Sequence, residues 1–135
     1  MEEKSSTSSR VLLIDDNALQ LRVREMVLRD AGFQVAIATS AEAAMSLLKS
    51  GRGVPDAGAP VIDAVVTDHM LTGASGADLV RELRDSWPAL PVIVITGMPG
   101  VEEEYQGMSV HFRPKPYPPD DLIDLLRACI KARAD

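Results

Sequence analysis

This chain has little with which to build a disulfide framework, a membrane anchor or a nucleic-acid clamp. Its 135 residues include one cysteine, Cys129, so no internal disulfide can form and no second thiol can join a metal site, a pattern that fits a reducing, cytoplasmic compartment. No apolar run approaches the ~20 residues that cross a bilayer, and the opening MEEKSSTSSR lacks the apolar core of a secretion signal. Positive charge is scarce. Lys plus Arg number 14 against 20 Asp plus Glu, a net charge of -6, which argues against nucleic acid or anionic lipid as a direct partner. What remains, 46% hydrophobic and 25% charged residues, is the composition of a globular domain with one core and no room for a second catalytic domain.

Residues 1–9 hold five Ser or Thr and no apolar residue after Met1, and read as a flexible tail. Five β-rich runs follow: residues 11–14 (VLLI), 35–38 (VAIA), 64–67 (AVVT), 92–95 (VIVI) and 110–112 (VHF). The first, third and fourth are apolar without alternation, as strands covered on both faces of a parallel sheet are. Helical spacing separates them. Leu19, Val23, Met26 and Val27 form one apolar set; Ala41, Ala44, Met45 and Leu48 a second; Gly76, Leu79, Val80 and Leu83 a third; Leu122, Leu125, Leu126, Cys129 and Ile130 a fourth. Ser40 suits the N-cap of the second helix and Gly32 the stop of the first. Residues 51–60 (GRGVPDAGAP) read as a surface loop, and the span from Gly97 to Met108 has space for about two helical turns. The alternation predicts an α/β, doubly wound, five-stranded parallel sheet with its ligand site at the carboxyl ends of the strands.

Three of those ends carry polar residues directly after an apolar run: Asp15-Asp16, Asp68 and Thr96; Lys115 follows the fifth strand. The topology brings them to one edge. Three carboxylates there repel by about 4 kcal/mol per pair at ~4 Å and an effective dielectric near 20, an appreciable part of the roughly 5–15 kcal/mol that holds a domain folded. Compensation must be positive. Lys115 supplies one charge, and a divalent cation taking oxygen ligands supplies two; Mg²⁺ suits best, because it keeps waters that a phosphate oxygen can replace. A carboxylate nucleophile, a metal, a Lys and a hydroxyl suit phosphoryl transfer.

The motifs LLIDDN, TDHMLTGASG, VIVITG and FRPKPY, in this order over residues 10–132, resemble the receiver domains of two-component response regulators. The resemblance implies the flavodoxin-like (βα)5 fold with strand order 2-1-3-4-5. It makes Asp68 the phosphoacceptor, and Asp15 and Asp16 the acidic pair that holds Mg²⁺ together with Asp68 and the backbone carbonyl of Met70. Thr96 becomes the switch hydroxyl, Lys115 the phosphate-pairing cation and Phe112 the switch aromatic; the Lys115-Pro116 peptide is expected to be cis. The implied partner is a histidine kinase or a histidine phosphotransfer protein, and the domain signals rather than acting as an enzyme on a separate substrate. Two features depart from the family pattern. Thr72 stands where Pro is usual, and the Thr96-to-Lys115 spacing is a few residues short. TDHMLTGASG with LRDSWPALPVIVITG looks most like receivers attached to hybrid sensor kinases.

Other readings fit less well. A phosphatase or phosphotransferase working through an aspartyl-phosphate needs a D-x-D pair, which the chain lacks. A flavodoxin-like cofactor carrier needs a phosphate cradle after the first strand, where Asp15-Asp16 would repel phosphate. The complete set of acids, Thr and Lys argues against a degenerate receiver acting only as an interaction module. His69 and His111 form no ligand cluster, Glu102-Glu103-Glu104 reads as a solvated face, and Cys129 as packing.

Overall fold

In a fully covered strand every side chain needs a packing partner, and alternate residues must find theirs on opposite faces. The computed structural model, which describes residues 9–50 and 61–134, satisfies this with β1 (Arg10–Ile14), β2 (Gln34–Ala38), β3 (Ala64–Asp68), β4 (Val92–Thr96) and β5 (His111–Pro114). The tail over residues 1–8 and the loop over residues 51–60 lie outside the described residues. All neighbouring strands pair in parallel, in the order β2-β1-β3-β4-β5. This is the predicted sheet. Four helices flank it: α1 (Ala18–Asp30), α2 (Ala41–Ser50), α3 (Gly76–Ser86) and α4 (Pro119–Ala134).

Leu12, Ile14, Val65, Val92 and Val94 pack toward Met45 and Leu48 of α2 and Leu79 and Leu83 of α3. Val11, Leu13, Val66, Ile93 and Ile95 pack the other way, toward Leu21 and Leu28 of α1 and Leu122 and Leu126 of α4. The expected cap and stop are both present. The Ala43 amide donates to Ser40 Oγ at 3.1 Å, and Gly32 has φ +102°, a conformation glycine adopts at no steric cost.

The apolar set assigned to α1 is corrected. Leu19, Val23 and Met26 are 73%, 54% and 62% exposed, whereas Leu21 and Leu28 are buried. At ~100° per residue the first three lie on the side of the helix opposite Leu21. α1 thus carries two apolar stripes, and only one can face the sheet. The cap settles which: Asn17 Oδ1, not Asp15 or Asp16, accepts the Gln20 amide at 3.0 Å and fixes the rotation of the first turn.

The predicted short fourth helix is a 3-10 turn, Val101–Tyr105, that buries Val101 and Tyr105 and leaves Glu102, Glu103 and Glu104 exposed. Its far end is held by Arg84 of α3. That guanidinium donates to the carbonyls of Met108 (2.7 Å), Trp87 (2.8 Å), Leu90 (2.7 Å) and Ser109 (3.0 Å), where Ser109 has φ +57°. Burial pushes the Arg84 pKa down from its ordinary value.

Trp87 caps the C-terminal end of α3. α3 returns antiparallel to the strands, so Trp87 and the site edge are separated by roughly 16 Å of strand at ~3.3 Å per residue. Mg²⁺ titration is accordingly expected to change tryptophan fluorescence only slightly; strong quenching would contradict the placement.

Candidate functional site

The ladders run on past the strand ends and carry the site residues into place. The His69 amide donates to Ile95 O at 2.9 Å, and the Lys115 amide to Thr96 O at 2.8 Å. The Lys115-Pro116 peptide is cis. Lys115 Nζ reaches Asp68 Oδ2 at 3.1 Å, and also donates to Gln20 Oε1 at 3.2 Å. Asp68 is buried apart from a small part of its carboxyl face.

The acidic pair splits in direction. Asp15 is fully buried; its Oδ1 accepts the Asn17 amide at 2.9 Å and its Oδ2 pairs with Arg24 Nη1 at 3.0 Å. Asp16 is exposed and accepts a hydrogen bond from the Thr72 hydroxyl. Each of the three acids therefore has its own partner, and among the described residues no group of three His, Cys, Asp or Glu side chains stands close enough to chelate one ion. Asp16, Asp68 and the Met70 carbonyl are nevertheless an all-oxygen donor set, which fits a hard cation such as Mg²⁺. Met70 begins a two-residue ladder, Met70–Leu71 with Ala74–Ser75, and the donor it can offer a hard cation is its backbone carbonyl, since a thioether is a soft ligand.

Thr96 ends β4 buried, with its Oγ1 accepting the Met98 amide at 2.9 Å. A Cβ added at Gly97 would meet nothing within 4 Å, so a small side chain there would find open space. Phe112 is half-buried and packs edge-on against Tyr105, ring centroids 5.2 Å apart at 77°.

Sequence reasoning missed six participants. Gln20 and Arg24 sit on the inward side of α1, and the signal was Arg24 standing between Leu21 and Leu28 at helical spacing, where an apolar residue would pack. Thr72, noted only as a missing Pro, is the partner of Asp16. His69, set aside as a ligand, is buried directly after Asp68 with Nδ1 2.7 Å from the Tyr105 hydroxyl and Nε2 3.8 Å from Glu104. Burial, reinforced by Glu104 and Asp68, pushes the Tyr105 phenol well above its ordinary range. Tyr105 stays protonated, and its hydroxyl shares one hydrogen bond with Nδ1 of His69. Gly76 makes the close approach possible: its amide donates to His69 O at 2.6 Å at the start of α3. That start is set by a capping box in which Ser75 Oγ accepts the Asp78 amide and Asp78 accepts the Ser75 amide, a bond that holds the Asp78 carboxyl below its usual range.

Fold and site together define a doubly wound α/β domain whose carboxyl edge holds three acids, a lysine and a threonine. The family described as response regulator receiver domain matches residues 11–127. Response regulator MprA of Mycolicibacterium vanbaalenii is 30% identical over 128 residues, covering 90% of this chain and 50% of its own. The alginate biosynthesis transcriptional regulatory protein AlgB of Pseudomonas aeruginosa is 31% identical over 125 residues, covering 90% of this chain and 26% of its own. The chain thus spans about half of the first relative and about a quarter of the second. A response regulator receiver protein from Sinorhizobium medicae superposes with a TM-score of 0.79 at 31% identity, over 93% of this chain and 97% of that one. A CheY-like receiver domain from Methanospirillum hungatei shares the fold, with a TM-score of 0.82 at 19% identity over 94% and 97% of the two chains. The chain belongs to the response regulator receiver domain family of two-component systems.

Proposed function

We propose that residues 10–132 form a cytoplasmic phosphoacceptor receiver that takes a phosphoryl group from a phosphohistidine onto Asp68. The observation that carries this reading is the Lys115 Nζ to Asp68 Oδ2 contact of 3.1 Å beside the Asp15-Asp16 pair. In the transfer a carboxylate oxygen of Asp68 attacks phosphorus, the O–P bond forms as the N–P bond to the donor imidazole breaks, and the acyl phosphate remains on Asp68. Lys115 pairs with the incoming phosphoryl oxygens. Thr96 turns its hydroxyl from the Met98 amide toward them, and Phe112 follows against Tyr105. Bound Mg²⁺, held by Asp16, Asp68 and the Met70 carbonyl with Asp15 acting through water, would neutralise phosphoryl oxygens. The product is a switched signalling state rather than a released metabolite.

The donor is a histidine kinase or a histidine phosphotransfer protein. Its docking face on this reading is the exposed stripe Leu19, Val23 and Met26 together with a groove of about 440 Å³ bordered by Val27, Pro116, Tyr117 and Leu122, because the rim of that groove is Lys115 itself. Incubation with acetyl phosphate and Mg²⁺ should add one phosphoryl group, seen by intact mass and removed by hydroxylamine as an acyl phosphate. No addition with acetyl phosphate, phosphoramidate or a phosphorylated donor would overturn the proposal.

A further inference from the structure

Arg24 is the second cation of the acid pocket, and the transfer proposed above gives it no part. Its side chain is 11% exposed and its guanidinium is held from three sides: Nη1 on Asp15 Oδ2 at 3.0 Å, Nε on the Tyr117 hydroxyl at 3.0 Å and Nη2 on Gln20 Oε1 at 3.5 Å. Gln20 Oε1 also accepts from Lys115 Nζ, so one amide oxygen ties the two cations together. Against three carboxylates the pocket therefore already holds two fixed positive charges. The repulsion that seemed to require a metal is relieved in large part by the chain itself.

Guanidinium stays charged at every working pH and its planar fork loses little freedom in such a setting. Asp15 has no exposed surface and both oxygens engaged, and the charge paired with it in the fold is that of Arg24. A metal ion entering beside Asp16 and Asp68 would meet a positive charge that cannot leave. We infer that Arg24 is the resident counter-cation of this pocket: through Asp15 it keeps the metal-free protein folded, and it thereby weakens Mg²⁺ binding and sets the Mg²⁺ concentration at which the site loads. It is a positioning residue, with no contact to the phosphoryl group. The inference rests on the reading that Asp16 and Asp68 hold Mg²⁺.

The test measures Mg²⁺ affinity by calorimetry and melting temperature in EDTA and in saturating Mg²⁺, for wild type, Arg24→Met and Arg24→Gln. Removing the positive charge that pairs with Asp15 should tighten Mg²⁺ binding on the order of tenfold. Both variants should melt lower than wild type in EDTA and recover most of the difference in Mg²⁺. A variant that folds only with Mg²⁺ gives the same answer in its extreme form. Unchanged or weaker affinity in both variants overturns the proposal, as does failure of both to fold in saturating Mg²⁺, since Arg24 would then be a framework residue no metal can replace. If neither wild type nor variants bind Mg²⁺, the metal-site reading fails and this inference with it; binding by wild type with no gain in the variants rejects the role of Arg24 alone.

Discussion

Asp68→Asn is expected to reduce phosphoryl uptake from acetyl phosphate to the background of an intact-mass assay while leaving the fold intact. The amide has the shape of the carboxylate and can still accept from Lys115 Nζ, which lies 3.1 Å away, but it is neutral and a poor nucleophile. Two stability effects oppose each other. An ion pair with a partly exposed lysine is lost, worth about 0–1 kcal/mol, and repulsion from Asp15 and Asp16 is relieved. The melting temperature should therefore move little, and a loss of labelling reports chemistry rather than unfolding. Undiminished labelling would transfer the acceptor role to another carboxylate.

Gly76→Ala should destabilise the domain by about 1–3 kcal/mol, the usual cost of overpacking a filled site. A Cβ there would lie 2.5 Å from the Tyr105 hydroxyl, 2.9 Å from the backbone oxygen of Asp68 and 3.2 Å from His69 Cα. The tyrosine tip could swing away only by giving up its bond to His69, and the Asp68 carbonyl belongs to β3 and has nowhere to go. Against this stands the gain from a stiffer unfolded chain, about 0.4–1 kcal/mol, so the clash prevails. Gly97→Ala is the control, because its Cβ meets nothing within 4 Å; its urea midpoint should equal or exceed that of wild type. Equal midpoints for the two variants would mean that the Tyr105–His69 contact is looser than described.

How far the sequence could be read depended on how many solutions each segment allowed. Val92 to Ile95 and Leu12 to Ile14 are short β-rich apolar runs set between helical patterns, and the apolar sets of α2 and α3 have a single wet side, so the sheet and its layers followed. α1 offered two apolar stripes, and the wrong one was chosen because Leu19, Val23 and Met26 outweigh Leu21 and Leu28 in number. That choice also hid Arg24, since the residue pairing Asp15 lies on the stripe passed over. Asp15, Asp16, Asp68, Thr96 and Lys115 were legible because topology alone brings strand ends to one edge. Their hydrogen-bond partners were not, because Thr72, Gln20 and Tyr105 arrive from loops and helix faces whose rotation only packing determines.

The segment between β4 and β5 is pinned at both ends. Lys115 N holds Thr96 O at one side, and Arg84 holds the carbonyls of Met108 and Ser109 at the other. Its middle is anchored as well, because Val101 and Tyr105 are buried in the core. Tyr105, near the middle, is tethered by its hydroxyl to His69, the residue next to Asp68. The exposed carboxylates of Glu102, Glu103 and Glu104 are thus borne on a stretch of chain whose position is tied to that of the residue next to Asp68.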